Sequence, residues 1–283
     1  MEFERVGVVG SGIMASGIAE VAAGSGASVT LRARNAAGAT DLGSRLDESL
    51  ARSVERGKLT ADEAGALRAR ISITTELADL SRCDLIVESV VEDLEVKLDL
   101  FRALGRVADE GAVIATGTST LPVIDLAMQV PHPERVLGIH FFNPAPQMSL
   151  VEVVRPLSVS ESVVARAVAF VRDCGKDPIE VKDQAGFIVN ALLFPYLNNA
   201  VRLLERGVAT KEGIDAAMKG GCGFPMGPFA LLDLVGLDTS IAILEALYAE
   251  YRDPNYSPEP LLRRMVSAGR LGRKSGSGFY PYR

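Results

Sequence analysis

The chain of 283 residues contains no tryptophan, two histidines and three cysteines. It also has no apolar run near the 18 residues that would suggest a membrane span. Cys83, Cys174 and Cys222 are an odd count without metal-ligand spacing. That argues against a disulfide framework and against a structural metal, so no metal is expected. The three thiols are expected to pack as small apolar side chains in a reducing compartment. Positive charge is in the minority. Thirty Lys and Arg against 36 Asp and Glu leave a formal net charge of −6. The balance offers no electrostatic case for nucleic acid or an anionic membrane surface. The opening MEFERVGVVG runs almost directly into a strand, with no signal-peptide pattern. A cytoplasmic protein fits these shortages.

What is present is ordinary for a globular protein: 48% apolar and 23% charged residues. The length suits two domains, and composition shifts near Asp183. We therefore expect domains at 1–183 and 184–283. Strands alternate with helices through about residue 140, which predicts an α/β, doubly wound, largely parallel sheet. Val6–Val9 is a short strand followed by Gly10-Ser11-Gly12-Ile13-Met14-Ala15 and a helical pattern. This is the G-x-G-x-x-A turn between a strand and a helix, where a dinucleotide pyrophosphate meets a helix N-terminus. Gly10 allows the tight turn and Gly12 the close backbone approach. Ala15, Gly17 and Ala19 keep the helix near the sheet.

NAD-binding proteins usually carry an acidic residue at the end of the second strand, for the adenosine ribose. Here Ser28–Leu31 leads into Arg32-Ala33-Arg34-Asn35. Without a carboxylate, and with two guanidiniums, NADP(H) is favoured and NAD(H) remains possible. Only one of Arg32 and Arg34 is expected to reach the ligand. Residues 41–70 read as two helices broken near Gly57-Lys58-Leu59-Thr60, with Thr60 and Glu63 forming a capping box.

His132 lies between prolines in an apparent loop, whereas His140 closes the apolar run Val136–Ile139. Glu152 is isolated in an apolar strand, where a carboxylate needs a partner. An imidazole oriented by a carboxylate can exchange a proton near neutral pH. From spacing alone, a catalytic pair and a satisfied structural histidine both remain open.

The stretch HFFNPAPQMSLVEVV closely resembles the motif of the 3-hydroxyacyl-CoA dehydrogenases, and the likeness extends over nearly the whole chain. The resemblance implies a Rossmann-type domain with a helical hairpin insertion, an all-α C-terminal domain and an active site between them. It implies His140 as catalytic base and Glu152 as its orienting carboxylate. Ser119 matches the serine on the substrate's reacting oxygen; its plain alternative is a helix-capping hydroxyl before Pro122. Asn190, in AGFIVNALL, matches an asparagine on the substrate carbonyl. Lys58 is the candidate for the CoA phosphates. Glu88 and Lys97 match the cofactor-side pattern E-x-x-x-E-N-L-x-x-K. The chain departs from the family at Ala33, usually aspartate, at Asp93 and Gly117, usually asparagine, and at Ala185 and Ala191.

The resemblance implies NAD(P)-dependent oxidation of a 3-hydroxyacyl-CoA, with 3-hydroxybutyryl-CoA as the type substrate. A relative acting on carrier-protein thioesters and a non-catalytic scaffold are the alternatives. Two rather apolar long helices in the second half suggest a homodimer. Pro195 is expected to kink or divide the helix predicted over 186–205.

Overall fold

The computed structural model describes residues 1–282. The first apolar run forms β1 (Arg5–Val9), buried from Val6 onward. After the glycine turn comes α1 (Ile13–Gly24), whose Ala15, Ala19, Ala22 and Ala23 are fully buried. Next are β2 (Ser28–Arg32), the hairpin arms α2 (Ala36–Glu55) and α3 (Ala61–Ala69), and β3 (Ile71–Thr74). The capping box of α3 forms as expected, with Thr60 and Glu63 each bonding the other's backbone. The chain continues through β4 (Leu85–Glu88), α4 (Leu94–Val107), β5 (Val113–Thr116), α5 (Val123–Ala127) and β6 (Val136–Phe141). It completes the sheet with β7 (Leu150–Arg155), α6 (Glu161–Asp173) and β8 (Asp177–Lys182).

The strands stand in the order β3-β2-β1-β4-β5-β6-β7-β8. Every pairing is parallel except β6 with β7. β4, β5 and β6 are buried at every position, as expected for strands covered on both faces. The order reverses between β1 and β4, so the glycine turn after β1 sits at a switch point, where α/β sheets bind ligands.

The contacts divide the chain into a unit over Met1–Asp183 and a second beginning at Gln184. The second is helical: α7 (Val189–Glu205), α8 (Lys211–Cys222), α9 (Pro228–Val235), α10 (Leu237–Tyr251) and α11 (Pro260–Ser267). Pro195 lies inside α7 without dividing it. An interior proline costs about 3 kcal/mol. Phe194, Leu197 and Val201 are buried on the same helix and offset that cost at roughly 1.5–3 kcal/mol each. Among the described residues no helix is long and apolar enough to cross a membrane, and no His, Cys, Asp and Glu cluster could hold a metal ion. The cysteines differ from expectation. Cys83 is buried and Cys174 half-buried, but Cys222 is exposed on the last turn of α8.

Candidate active site

The antiparallel register of β6 and β7 sets His140 directly opposite Glu152. Residues opposite each other in such a pair point to the same face of the sheet. His140 is 4% exposed and Glu152 is fully buried. The His140 Nδ1 lies 2.7 Å from Glu152 Oε2. A carboxylate only accepts, so in the neutral imidazole this contact favours the tautomer with its proton on Nδ1 and the lone pair on Nε2. The hydroxyl of Ser119 lies 3.0 Å from that Nε2. β5 runs parallel beside β6, so the loop leaving β5 delivers Ser119 to the end of β6. The Phe142 ring packs on the imidazole, with centroids 4.6 Å apart. The structure therefore assembles Ser119, His140 and Glu152 into one hydrogen-bonded chain. Ser119 does not cap the following helix. The carboxylate of Asp183 accepts from the amides of Val123 and Ile124 at 3.0 and 2.8 Å, and takes that task.

At the glycine turn, a Cβ on Gly10 would lie 2.1 Å from the carbonyl oxygen of Ser89, and the residue holds φ +150°. Only glycine fits there. A Cβ on Gly12 would meet nothing within 4 Å beyond its own chain neighbours. That face is open, and the first turn of α1 has no side-chain cap. Ile13 is 59% exposed beside it, and Met14 is half-buried. Open amides at a helix start fit a dinucleotide pyrophosphate. Gly17 serves a different contact from the one expected. Its Cβ would lie 3.2 Å from Ala145 and 3.3 Å from Pro146, so it admits the β6–β7 turn rather than the sheet.

Ala33 is fully buried just past β2. Arg32 is half-buried and donates from Nε to the carbonyl oxygen of Thr75 at 3.1 Å. Arg34 is exposed. Asn35 caps α2 by accepting from the Gly38 amide at 2.9 Å. A Cβ on Gly38 would lie 3.3 Å from Ser11 Cβ, so the start of α2 abuts the glycine turn. Asp93 is likewise a cap, accepting from the Val96 amide at 3.0 Å. Asparagine accepts the same bond, which accounts for that departure from the family. At Gly117 a Cβ would lie 3.0 Å from the Glu88 carbonyl oxygen, so a larger residue needs a small shift.

Glu88 and Lys97, expected to face the cofactor, are instead paired inside the protein. Glu88 is fully buried and Lys97 is 1% exposed. Lys97 Nζ lies 2.6 Å from Glu88 Oε1. Glu88 also accepts from the Val90 amide at 2.6 Å and the Thr116 hydroxyl at 2.7 Å. Lys97 is also 3.3 Å from Glu92 Oε2. Glu92 is the second glutamate of the E-x-x-x-E pattern, and nothing in the sequence assigns it a task.

A cavity of about 620 Å³ runs along α1, walled by the α2–α3 hairpin and by residues 143–147 of the β6–β7 turn. Lys58 lines it, as do Arg45, Arg52, Arg56 and Lys176. Arg45, Arg52 and Arg56 are spaced seven and four apart, one face of a helix. That spacing was legible in the sequence and was missed. Glu20 also lines the cavity and accepts from the Ser49 hydroxyl at 2.6 Å. Burial raises its carboxyl above the ordinary glutamate value. Lys176 Nζ donates to the carbonyl oxygens of Pro146 and Met148, tying down the turn between His140 and Glu152. Asn190 is in the second unit, 8% exposed, on the first turn of α7.

Residues 5–184 match the 3-hydroxyacyl-CoA dehydrogenase NAD binding domain, and residues 186–282 match the C-terminal domain of the same enzymes. A 3-hydroxybutyryl-CoA dehydrogenase of Mycobacterium tuberculosis (strain H37Rv) is 47% identical over 281 residues, 99% of this chain and 98% of that protein. The crystal structure of M. tuberculosis FadB2 superposes with a TM-score of 0.98 at 47% identity, covering 99% of both chains. The (S)-3-hydroxybutyryl-CoA dehydrogenase PaaH1 of Ralstonia eutropha superposes with a TM-score of 0.96 at 39% identity, also covering 99% of both.

Proposed function

The chain belongs to the 3-hydroxyacyl-CoA dehydrogenase family and is a nicotinamide-dependent enzyme of it, and from that premise we propose that it interconverts a short-chain 3-hydroxyacyl-CoA and the 3-oxoacyl-CoA. 3-Hydroxybutyryl-CoA and acetoacetyl-CoA are the preferred pair. The hydrogen-bonded chain Ser119–His140–Glu152 carries this reading. In the oxidation direction Nε2 of His140 takes the C3 hydroxyl proton. Glu152 holds Nδ1–H, fixes the ring and stabilises the imidazolium. Ser119 positions the reacting oxygen. The nicotinamide, when bound, accepts the hydride leaving C3. Asn190 remains a substrate-binding residue on the resemblance alone.

The cavity beside α1 suits the CoA moiety. Its neighbouring turn is the one that joins the His140 and Glu152 strands, and Arg45, Arg52, Arg56 and Lys58 offer cations to its phosphates. NADP(H) is favoured over NAD(H), with Arg34 as the reader of the 2′-phosphate. Arg32 is committed to Thr75, Ala33 carries no opposing charge, and Arg34 is exposed next to the start of α2. The second unit leaves Leu192 71% and Leu234 49% exposed, and a second copy of the chain is the proposed cover.

Parallel initial rates of acetoacetyl-CoA reduction with NADPH and NADH test the reading. Turnover favouring NADPH is expected, and Arg34→Ala should lower kcat/KM for NADPH on the order of 10-fold, leaving NADH unchanged. Equal or better turnover with NADH would remove the role given to Arg34 but keep the reaction. No turnover with either would remove the reaction.

A further inference from the structure

Glu92 touches both the buried pair beneath the sheet end and the loop that delivers Ser119. Its two oxygens divide the contacts. Oε2 faces Lys97 Nζ at 3.3 Å. Oε1 accepts from the Thr118 hydroxyl at 2.6 Å, the Ser119 amide at 2.8 Å and the Thr120 amide at 3.2 Å. Lys97 is in turn fixed by Glu88, and Glu88 by Thr116, the last residue of the strand from which the loop departs. Thr118 closes the circuit, because its amide donates to Thr116 Oγ1 at 3.1 Å.

The loop is also held by the Leu121 amide on Thr118 Oγ1 at 2.9 Å and by the Gly117 amide on the Glu88 carbonyl oxygen at 2.8 Å, contacts that flank Ser119 without bonding its backbone. Thr118 is 1% exposed, but Ser119 and Thr120 are half-buried. A serine hydroxyl on a loose loop samples several rotamers and backbone positions, and only a few place Oγ on an imidazole nitrogen. We propose that Glu92 is a positioning residue for the reaction: clamped by Lys97, it fixes the backbone at 118–120 and so sets the Ser119 hydroxyl against His140. The inference rests on the reading of Ser119 and His140 as catalytic. The charge on Glu92 matters as well as its shape. Burial would raise its carboxyl, but the Lys97 ammonium and the loop donors outweigh it and hold the group below the ordinary glutamate value. Glutamine has one acceptor oxygen and one donor nitrogen. In either orientation its NH2 meets a donor, Lys97 or the loop amides, and one side of the clamp is lost.

A double-mutant cycle on the full-length protein tests this, with kcat and both KM values read for Glu92→Gln, Ser119→Ala and the pair. Glu92→Gln should lower kcat on the order of 10-fold with the cofactor KM nearly unchanged, and should cost nothing further in the Ser119→Ala background. Thr118→Val, which removes the hydroxyl that donates to Glu92 and accepts from the Leu121 amide and leaves the Lys97 pair intact, should act in the same direction more weakly. Thr118→Ser should restore activity. These two variants keep the test open if Glu92→Gln folds poorly. Losses that add to those of Ser119→Ala, or a change confined to the cofactor KM, would overturn the assignment. A harmless Ser119→Ala would instead overturn the catalytic reading beneath it.

Discussion

His140 owes its chemistry to one strand register. Glu152 and His140 are twelve positions apart in sequence, and only antiparallel pairing through a short turn brings Nδ1 within 2.7 Å of the carboxylate. His140→Ala should lower kcat by a factor on the order of 10²–10⁴, with the cofactor and thioester KM values changed modestly. Retained turnover would contradict the mechanism. Glu152→Gln keeps the size but leaves an amide where a carboxylate stabilised the imidazolium. It should lower kcat while a thermal melt separates that loss from unfolding. Single residues were legible in unequal measure. His140 and Glu152 stand in one long motif and Ser119 is a separate match to the family, and the structure joins them. Glu88 and Lys97 stand in a motif too, but sequence order says nothing about which way a side chain turns, and both turn inward. Arg32 and Arg34 looked equivalent in the sequence. The carbonyl oxygen of Thr75, 43 positions away, separates them.

At the scale of elements, local chemistry was the readable part. The Thr60–Glu63 box starts α3 as the sequence implies. Caps supplied from a distance were not readable. Asp183 caps α5 from 60 and 59 positions away, and Asp215 accepts from the amides of Phe229 and Ala230 at the start of α9. The same applies to Asp233, fully buried in α9. It accepts from the amides of Phe279 and Tyr280, each at 2.8 Å, and from the Tyr282 hydroxyl at 3.0 Å. Removing it strands the buried Phe279 amide, which costs about 1–3 kcal/mol, and leaves two half-buried donors without their acceptor. Asp233→Ala should therefore lower Tm by several degrees and expose the C-terminal segment to limited proteolysis. An unchanged melt would show that the segment is held by its aromatic packing alone.

For the whole molecule, the alternation of strands and helices announced the parallel sheet, and the shift near Asp183 coincides with the division of contacts there. Neither the β6–β7 reversal nor the cavity along α1 follows from periodicity, because both are set by packing across the sheet. Charge ties the first unit together at its margin. Asp84, preceding β4, accepts from the backbone and guanidinium of Arg5 at the start of β1. The Arg5 bond holds the Asp84 carboxyl below the ordinary aspartate value. The unfolded chain thus binds this proton first. The stabilisation is present above the ordinary aspartate range and disappears as pH falls through the folded-state value. Asp84→Asn should lower Tm slightly at neutral pH, with the difference from wild type vanishing in acid. A difference independent of pH would contradict an ionic origin.

The most direct measurement is acetoacetyl-CoA-dependent oxidation of reduced nicotinamide, followed by absorbance for the wild-type chain and His140→Ala side by side. Steady turnover by the wild type, reduced on the order of 10²–10⁴ by the substitution, is the expected result. Equal rates from the two proteins, or a wild type silent with both NADPH and NADH, would contradict it.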